Sequence, residues 1–190
     1  MASLMVFALG FVAYKVWPAP SPPQYARIPT SAASVTPAPS PTTHPLPSRL
    51  KIPKIQVDTN IEALGITAAG NMDVPSTIEN VSWYKYGPYP GQAGSAVIAG
   101  HYGTLKGRRS VFNNLNKLKR GDVLMVTDAA GQTVSFVVQE IRTYRETDSA
   151  GEVFSSSGAS QLRLITCAGA WDKTQKRFVK RLVVFADKAK

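Results

Sequence analysis

Ten of the chain's fourteen prolines fall between residues 18 and 48, and that concentration divides the 190 residues into parts that must behave differently. The stretch PAPSPPQYARIPTSAASVTPAPSPTTHPLPS loses a backbone donor at every proline and holds almost no large apolar side chains, so no core forms there. It reads as a semi-rigid, partly polyproline spacer with a reach of ~90 Å at most. Ahead of it, MASLMVFALGFVAYKVW is apolar through Ala13 and then turns to Tyr14, Lys15 and Trp17, the amphipathic types found at a membrane interface. Residues 1–17 are therefore expected to be a membrane anchor, shorter than the ~20 residues a bilayer core takes, as a truncated transmembrane helix would be. An anchor followed by a stiff spacer holds a domain away from a membrane, in a thick extracellular layer.

From Arg49 onward the pattern changes. LKIPKIQV, IEALGI, SAVIAG, DVLMVTD, TVSFVVQEI, LRLITC and RLVVFAD alternate with Gly, Pro, Asn and Asp. Short β-branched runs between turn residues predict strands, and their spacing suits a closed barrel better than alternating β/α units. Only SVFNNLNKL has a helical spacing of apolar residues, at Val111, Phe112, Leu115 and Leu118, so helices are expected to be short and peripheral. Residues 49–190 form one mostly-β domain in this reading, with Trp83 in a structural role and Trp171 either lining a groove or capping the barrel.

The 22 Lys and Arg against 12 Asp and Glu leave a net charge of +10, which favours an anionic neighbour. The basic residues are scattered and carry no helix-turn-helix, zinc-finger or RNA-recognition signature, which argues against nucleic acid. With Cys167 as the single cysteine there is no internal disulfide, and no CxxC or Cys/His cluster supplies the ligands of a structural zinc.

Outside the spacer's His44, the chain has one histidine, His101, to set beside Cys167. A lone strand cysteine is ordinarily a small buried apolar group, and a lone histidine a loop or core residue. The flanks point elsewhere. His101 directly follows SAVIAG and sits between Gly100 and Gly103, which predicts a ring at a strand end on flexible backbone. Cys167 ends LRLITC and precedes AGAW, which predicts a sulfur at a barrel rim. On a period-two reading Arg181 shares a face with Val179, Val183 and Phe185, an apolar set in which a guanidinium needs a partner or a substrate. Arg177, nearer the turn, is the expected surface residue. A thiolate nucleophile, an imidazole that moves protons and a cation that stabilises an oxyanion suffice for acyl transfer without a metal.

Three of these motifs resemble the sortase family. The family's TLxTC signature is matched over Leu164-Ile165-Thr166-Cys167, with Arg163 in place of its first Thr. PGQAGSAVIAGHYG resembles the PG-x-x-G…GH segment, and KRLVVFA the closing strand that carries the family's arginine. His101 precedes Cys167 by 66 residues and Cys167 precedes Arg181 by 14, in the family's order and close to its spacing. The WY…PG…G…AGH run and the short helical content look most like the class D, E or F branch, with class F favoured.

The resemblance implies a closed eight-stranded sortase β-barrel. It also implies a single-pass, membrane-anchored cysteine transpeptidase of a Gram-positive envelope, with its catalytic domain extracytoplasmic and facing the cell wall. Such an enzyme cleaves an LPxTG-like sorting signal after Thr, holds the surface protein as a thioester on Cys167 and passes it to an amine of the peptidoglycan precursor. By the same carry-over His101 is the general acid/base and Arg181 positions substrate and stabilises the oxyanion; Thr166, from its place next to the nucleophile, is expected to be a substrate-binding residue that helps shape the oxyanion site, although a strand Thr is also common as a plain structural residue. Glu146, Asp148 and Glu152 precede the Cys strand, but three acids in one loop read as solvated, and no metal or other cofactor is expected. A hydrolase or a pilin polymerase would use the same three residues. A membrane-anchored β-barrel binding module would carry Cys167 and His101 incidentally, and its thiol would be inert.

Overall fold

Alternation of buried and exposed side chains builds the chain from Pro47 onward, two residues ahead of the boundary read from the sequence. The computed structural model describes residues 44–145, 147–155 and 158–190; the expected anchor and the spacer up to residue 43 lie outside them. Among the described residues no helix is long and apolar enough to cross a membrane. The strands are β1 Pro47–Ile52, β2 Val57–Leu64, β3 Val81–Tyr84, β4 Gly94–Gly100, β5 Thr104–Leu105, β6 Arg108–Arg109, β7 Val123–Asp128, β8 Thr133–Arg145, β9 Ser160–Asp172 and β10 Arg177–Lys188.

Eight of them close into a barrel in the order β1-β2-β3-β4-β9-β10-β8-β7, and β5 and β6 form a separate two-stranded ribbon. Two of the barrel's pairs are parallel, β2 with β3 and β4 with β9. A parallel pair cannot be joined by a tight turn, so chain must leave the wall and return. Residues 65–80 do this between β2 and β3, and they cover part of the outer wall. Inside, Leu50, Ile52, Trp83, Ile98, Phe112, Phe136, Leu162 and Leu164 are fully buried. The Trp83 indole N–H donates to the Pro88 carbonyl at 3.2 Å, which settles its structural role. A smaller cluster of Val97, Val153, Val183 and Phe185 sits on the opposite face of the same strands, because side chains alternate across the wall.

Two sequence expectations change. SVFNNLNKL forms no α-helix; Leu115–Lys117 is a single 3-10 turn. Leu115, Lys117 and Leu118 donate to carbonyls three residues back, and the buried Phe112, Leu115 and Leu118 recur every three residues, the 3-10 period. Asn113 draws the backbone away from a helix by accepting the Gly103 N–H at 2.6 Å. Short as it is, this turn supplies core side chains. Strand β9 also does not end at Cys167 but runs on to Asp172. Gly169, at φ +80°, and a register shift between Phe178 and Lys180 let the β9–β10 pair continue as a bulged ribbon.

Gly100 serves close packing rather than flexibility. A Cβ there would meet Phe112 Cδ2 at 2.6 Å and Val111 Cγ1 at 2.9 Å. Gly100→Ala is therefore expected to cost about 1–3 kcal/mol through overpacking, measured by urea unfolding. It should lower activity further by displacing the next residue, His101.

Candidate active site

Cys167 on β9 and Arg181 on β10 are direct antiparallel partners. Leu162, Leu164 and Thr166 alternate inward and are buried, so Cys167 and Ile165 face outward, as do Arg181 and Val183 across the pair. The parallel β4–β9 register ends with Ala99 opposite Ile165. His101 lies two residues past Ala99 and Cys167 two past Ile165, so the register carries them side by side. The three predicted residues open into one cleft of about 530 Å³, walled by Met72, Val74 and Pro75 on one side and by Val153 and Phe154 on the other. Cys167 is a free thiol, half-buried.

His101 is held at three points. Its carbonyl accepts the Phe112 N–H at 3.1 Å, and its Nε2 lies 3.3 Å from the Pro75 carbonyl. A carbonyl only accepts, so this contact keeps a proton on Nε2 and leaves Nδ1 as the basic nitrogen of the neutral ring. The third point is indirect: the Thr166 hydroxyl donates to the Gly100 carbonyl at 2.7 Å, tying β9 to the residue before His101. Thr166 thus directs its hydroxyl across the strand pair. Thr166→Val is expected to cost about 1 kcal/mol for the lost buried bond. Loosening His101 should lower kcat about three- to tenfold with little change in KM, measured by peptide turnover alongside unfolding.

Arg181 is half-buried, and its Nη1 donates to the Phe178 and Lys180 carbonyls, each at 2.9 Å. These bonds fix the plane of the guanidinium. Among the described residues its Nε and Nη2 have no partner, which leaves two nitrogens with three N–H donors for an anion in the cleft. Arg177 is exposed, as expected of a surface residue, yet it also lines the cleft, and its Nε donates to Gln175 at 2.7 Å. Trp171 caps no part of the barrel. It is exposed on the ribbon, edge-on to Phe178 with ring centroids 5.1 Å apart, in a groove that His101 also lines.

The walls of the cleft escaped the sequence reading. The crossover at residues 65–80 is clamped by Glu62, whose carboxylate accepts the Ser76 hydroxyl and the Asn80 amide, each at 2.8 Å. Asn80, with Ser76, holds that carboxyl below its usual range. The available signal was length, since a long uninterrupted connection in a small domain is usually functional. On the other side, the 3-10 turn Gly151–Phe154 is held by Glu152, which accepts from the Tyr144 hydroxyl at 2.6 Å and from Arg142 at 2.7 Å. Tyr144 first, then Arg142, keeps the Glu152 carboxyl below the ordinary carboxylate range. Of the other two acids read as a solvated loop, Asp148 accepts the Arg145 N–H at 2.7 Å and Glu146 lies outside the described residues. Among the described residues no cluster of three or more metal-ligating side chains occurs.

Arg163, at the position where the signature departs from TLxTC, is 6% exposed. Its guanidinium stacks over Phe185 at 4.6 Å and donates to Gln161 at 2.6 Å. Burial pulls its pKa down. It fills the outer wall below the cleft and contributes no lining to it.

A sortase-domain family model matches residues 50–189. The chain belongs to the sortase family. Sortase C-1 from Actinomyces oris superposes on this sortase with a TM-score of 0.60 and 26% identity, over 78% of this chain and 76% of that one. A lid mutant of sortase A from Corynebacterium diphtheriae gives 0.60 and 23%, over 80% and 74% of the two chains. A sortase D5 transpeptidase from Clostridium perfringens gives 0.55 and 22%, over 76% and 79%. The last two likenesses speak for the fold. No curated protein sequence matches this sortase.

Proposed function

We propose that this sortase is a cysteine transpeptidase that cleaves an LPxTG-like sorting signal after its Thr and transfers the protein to an amine of the peptidoglycan precursor. The observation that carries the reading is the cross-strand pair Cys167 and Arg181 opening, with His101, into one cleft. The Cys167 thiol passes its proton to Nδ1 of His101, the resulting thiolate attacks the Thr carbonyl carbon, and the negative charge that develops on the carbonyl oxygen meets the free donors of Arg181. His101 gives a proton to the departing Gly nitrogen as the C–N bond breaks. The thioester then accepts an incoming amine, which loses its proton to His101, and the thiolate leaves as the new amide forms.

The apolar residues through Ala13 and the proline-rich spacer support placement at a membrane with the catalytic domain outside, facing the wall, and the basic surface suits a layer of anionic polymer. Among the described residues helix is confined to short 3-10 turns, which supports the class D, E or F branch, within which we favour class F.

The test uses the full chain, a quenched LPxTG peptide and an amine acceptor, with mass spectrometry of protein and products. The reading requires a thioester adduct on Cys167 that the amine converts to an amide product. An adduct that only water discharges would make the protein a hydrolase. A folded protein that forms no adduct and resists alkylation would be a binding module instead.

A further inference from the structure

The cleft does not stop at Met72 and Phe154. Both residues also line a second cavity of about 480 Å³, together with Ile66, Tyr84, Tyr86 and Val97. The two cavities share their walls: residues of the β2–β3 crossover on one side and Phe154 of the 3-10 turn on the other. They also share a floor, because the outward residues of β4 line the second cavity at Ser95 and Val97 and the first at Ala99, with His101 just past the strand's end. Ile66 is 55% exposed, Tyr86 65% and Phe154 46%, an apolar rim on a trough that leads to the thiol.

Length decides what lies there. Ser95 to His101 is six residues of extended chain, or ~20 Å. An LPxT stretch with its Thr carbonyl at Cys167 takes up only ~13 Å of that. Its Leu and Pro match the apolar walls of the first cavity, at Val74, Pro75, Val153 and Val183, so the peptide runs N-terminally toward Phe154. We propose that the second cavity is an upstream specificity subsite that takes an apolar or aromatic side chain of the substrate protein, two or three residues before the signal's Leu. This rests on the transpeptidase reading and adds a requirement that the sorting signal alone does not contain.

The test is a peptide series on the full chain in which one Phe moves through the four positions before the Leu in an otherwise all-Gly extension. One position should raise kcat/KM about tenfold over the all-Gly peptide, the gain from burying an aromatic ring. The double variant Ile66→Ser, Tyr86→Ser should lose that gain while cleaving the all-Gly peptide within about twofold of the parent rate. If no position gains more than twofold, or if the gain survives in the double variant, the subsite is wrong and the transpeptidase stands. If no peptide of the series is cleaved, with or without Phe, both readings fall together.

Discussion

Changing Cys167 to alanine is expected to abolish cleavage and transfer together, with kcat/KM falling about 10⁴-fold or more. The size of the loss follows from how the site divides its labour. In the proposed mechanism Arg181 and His101 act on charges and protons that exist only once a nucleophile has attacked, so without the sulfur they have nothing to stabilise. The substitution should leave the fold intact. Cys167 faces outward, away from the packed interior, and its side chain carries no hydrogen bond that the barrel depends on, so the stability change should be under ~1 kcal/mol. The comparison is made with peptide turnover, adduct mass and a thermal melt on the same preparation. A variant that melts like the parent, binds peptide and still transfers it would remove Cys167 from the mechanism.

The second large effect is expected from Arg181→Lys, a loss of about 10²–10³-fold that falls on kcat, as for the removal of one oxyanion donor. The exchange keeps the charge and loses the fork. Nη1 of Arg181 donates to two backbone carbonyls, and that pair of hydrogen bonds holds the remaining donors toward the cleft. An ammonium on a flexible stem either satisfies those carbonyls or reaches the substrate, with no planar frame to do both. Arg177 provides the control, because it lines the same cleft from an exposed position. Arg177→Ala should change kcat/KM less than about fivefold. Equal damage from the two substitutions would exchange their roles.

What could be read from the residues and what could not follow a physical division. The alternation of SAVIAG, LRLITC and RLVVFAD marked three strands of the catalytic wall, and the flanks of His101, Cys167 and Arg181 marked three side chains that the register then brings to one face. Strand β3, four residues with a Ser among them, was too short to carry a period. Ala-Gly-Ala after Cys167 looked like a strand end because a glycine in a bulge and a glycine in a turn are the same letter. SVFNNLNKL has apolar residues at both 3- and 4-residue spacings, and the side-chain bond from Asn113 to the Gly103 amide tipped it to the tighter helix. Pro75, Met72 and Phe154 were invisible for another reason. Nothing local distinguishes them, and they become cleft walls only because the crossover and the 3-10 turn are folded back over β4 and clamped by Glu62 and Glu152.

The mixed pairing of the wall bears on when the site becomes competent. Cys167 and Arg181 meet through a hairpin closed over 14 residues, whereas His101 reaches them only when β4 pairs in parallel with β9, across 66. Local contacts form early and long loops close late. A refolding chain thus brings Cys167 beside Arg181 before His101 joins them, and pulsed alkylation of Cys167 during refolding should resolve the two stages. On the proposed mechanism activity is in this sense a signal of completion: a sortase whose barrel is still open holds Cys167 beside Arg181 but has yet to bring His101 to them.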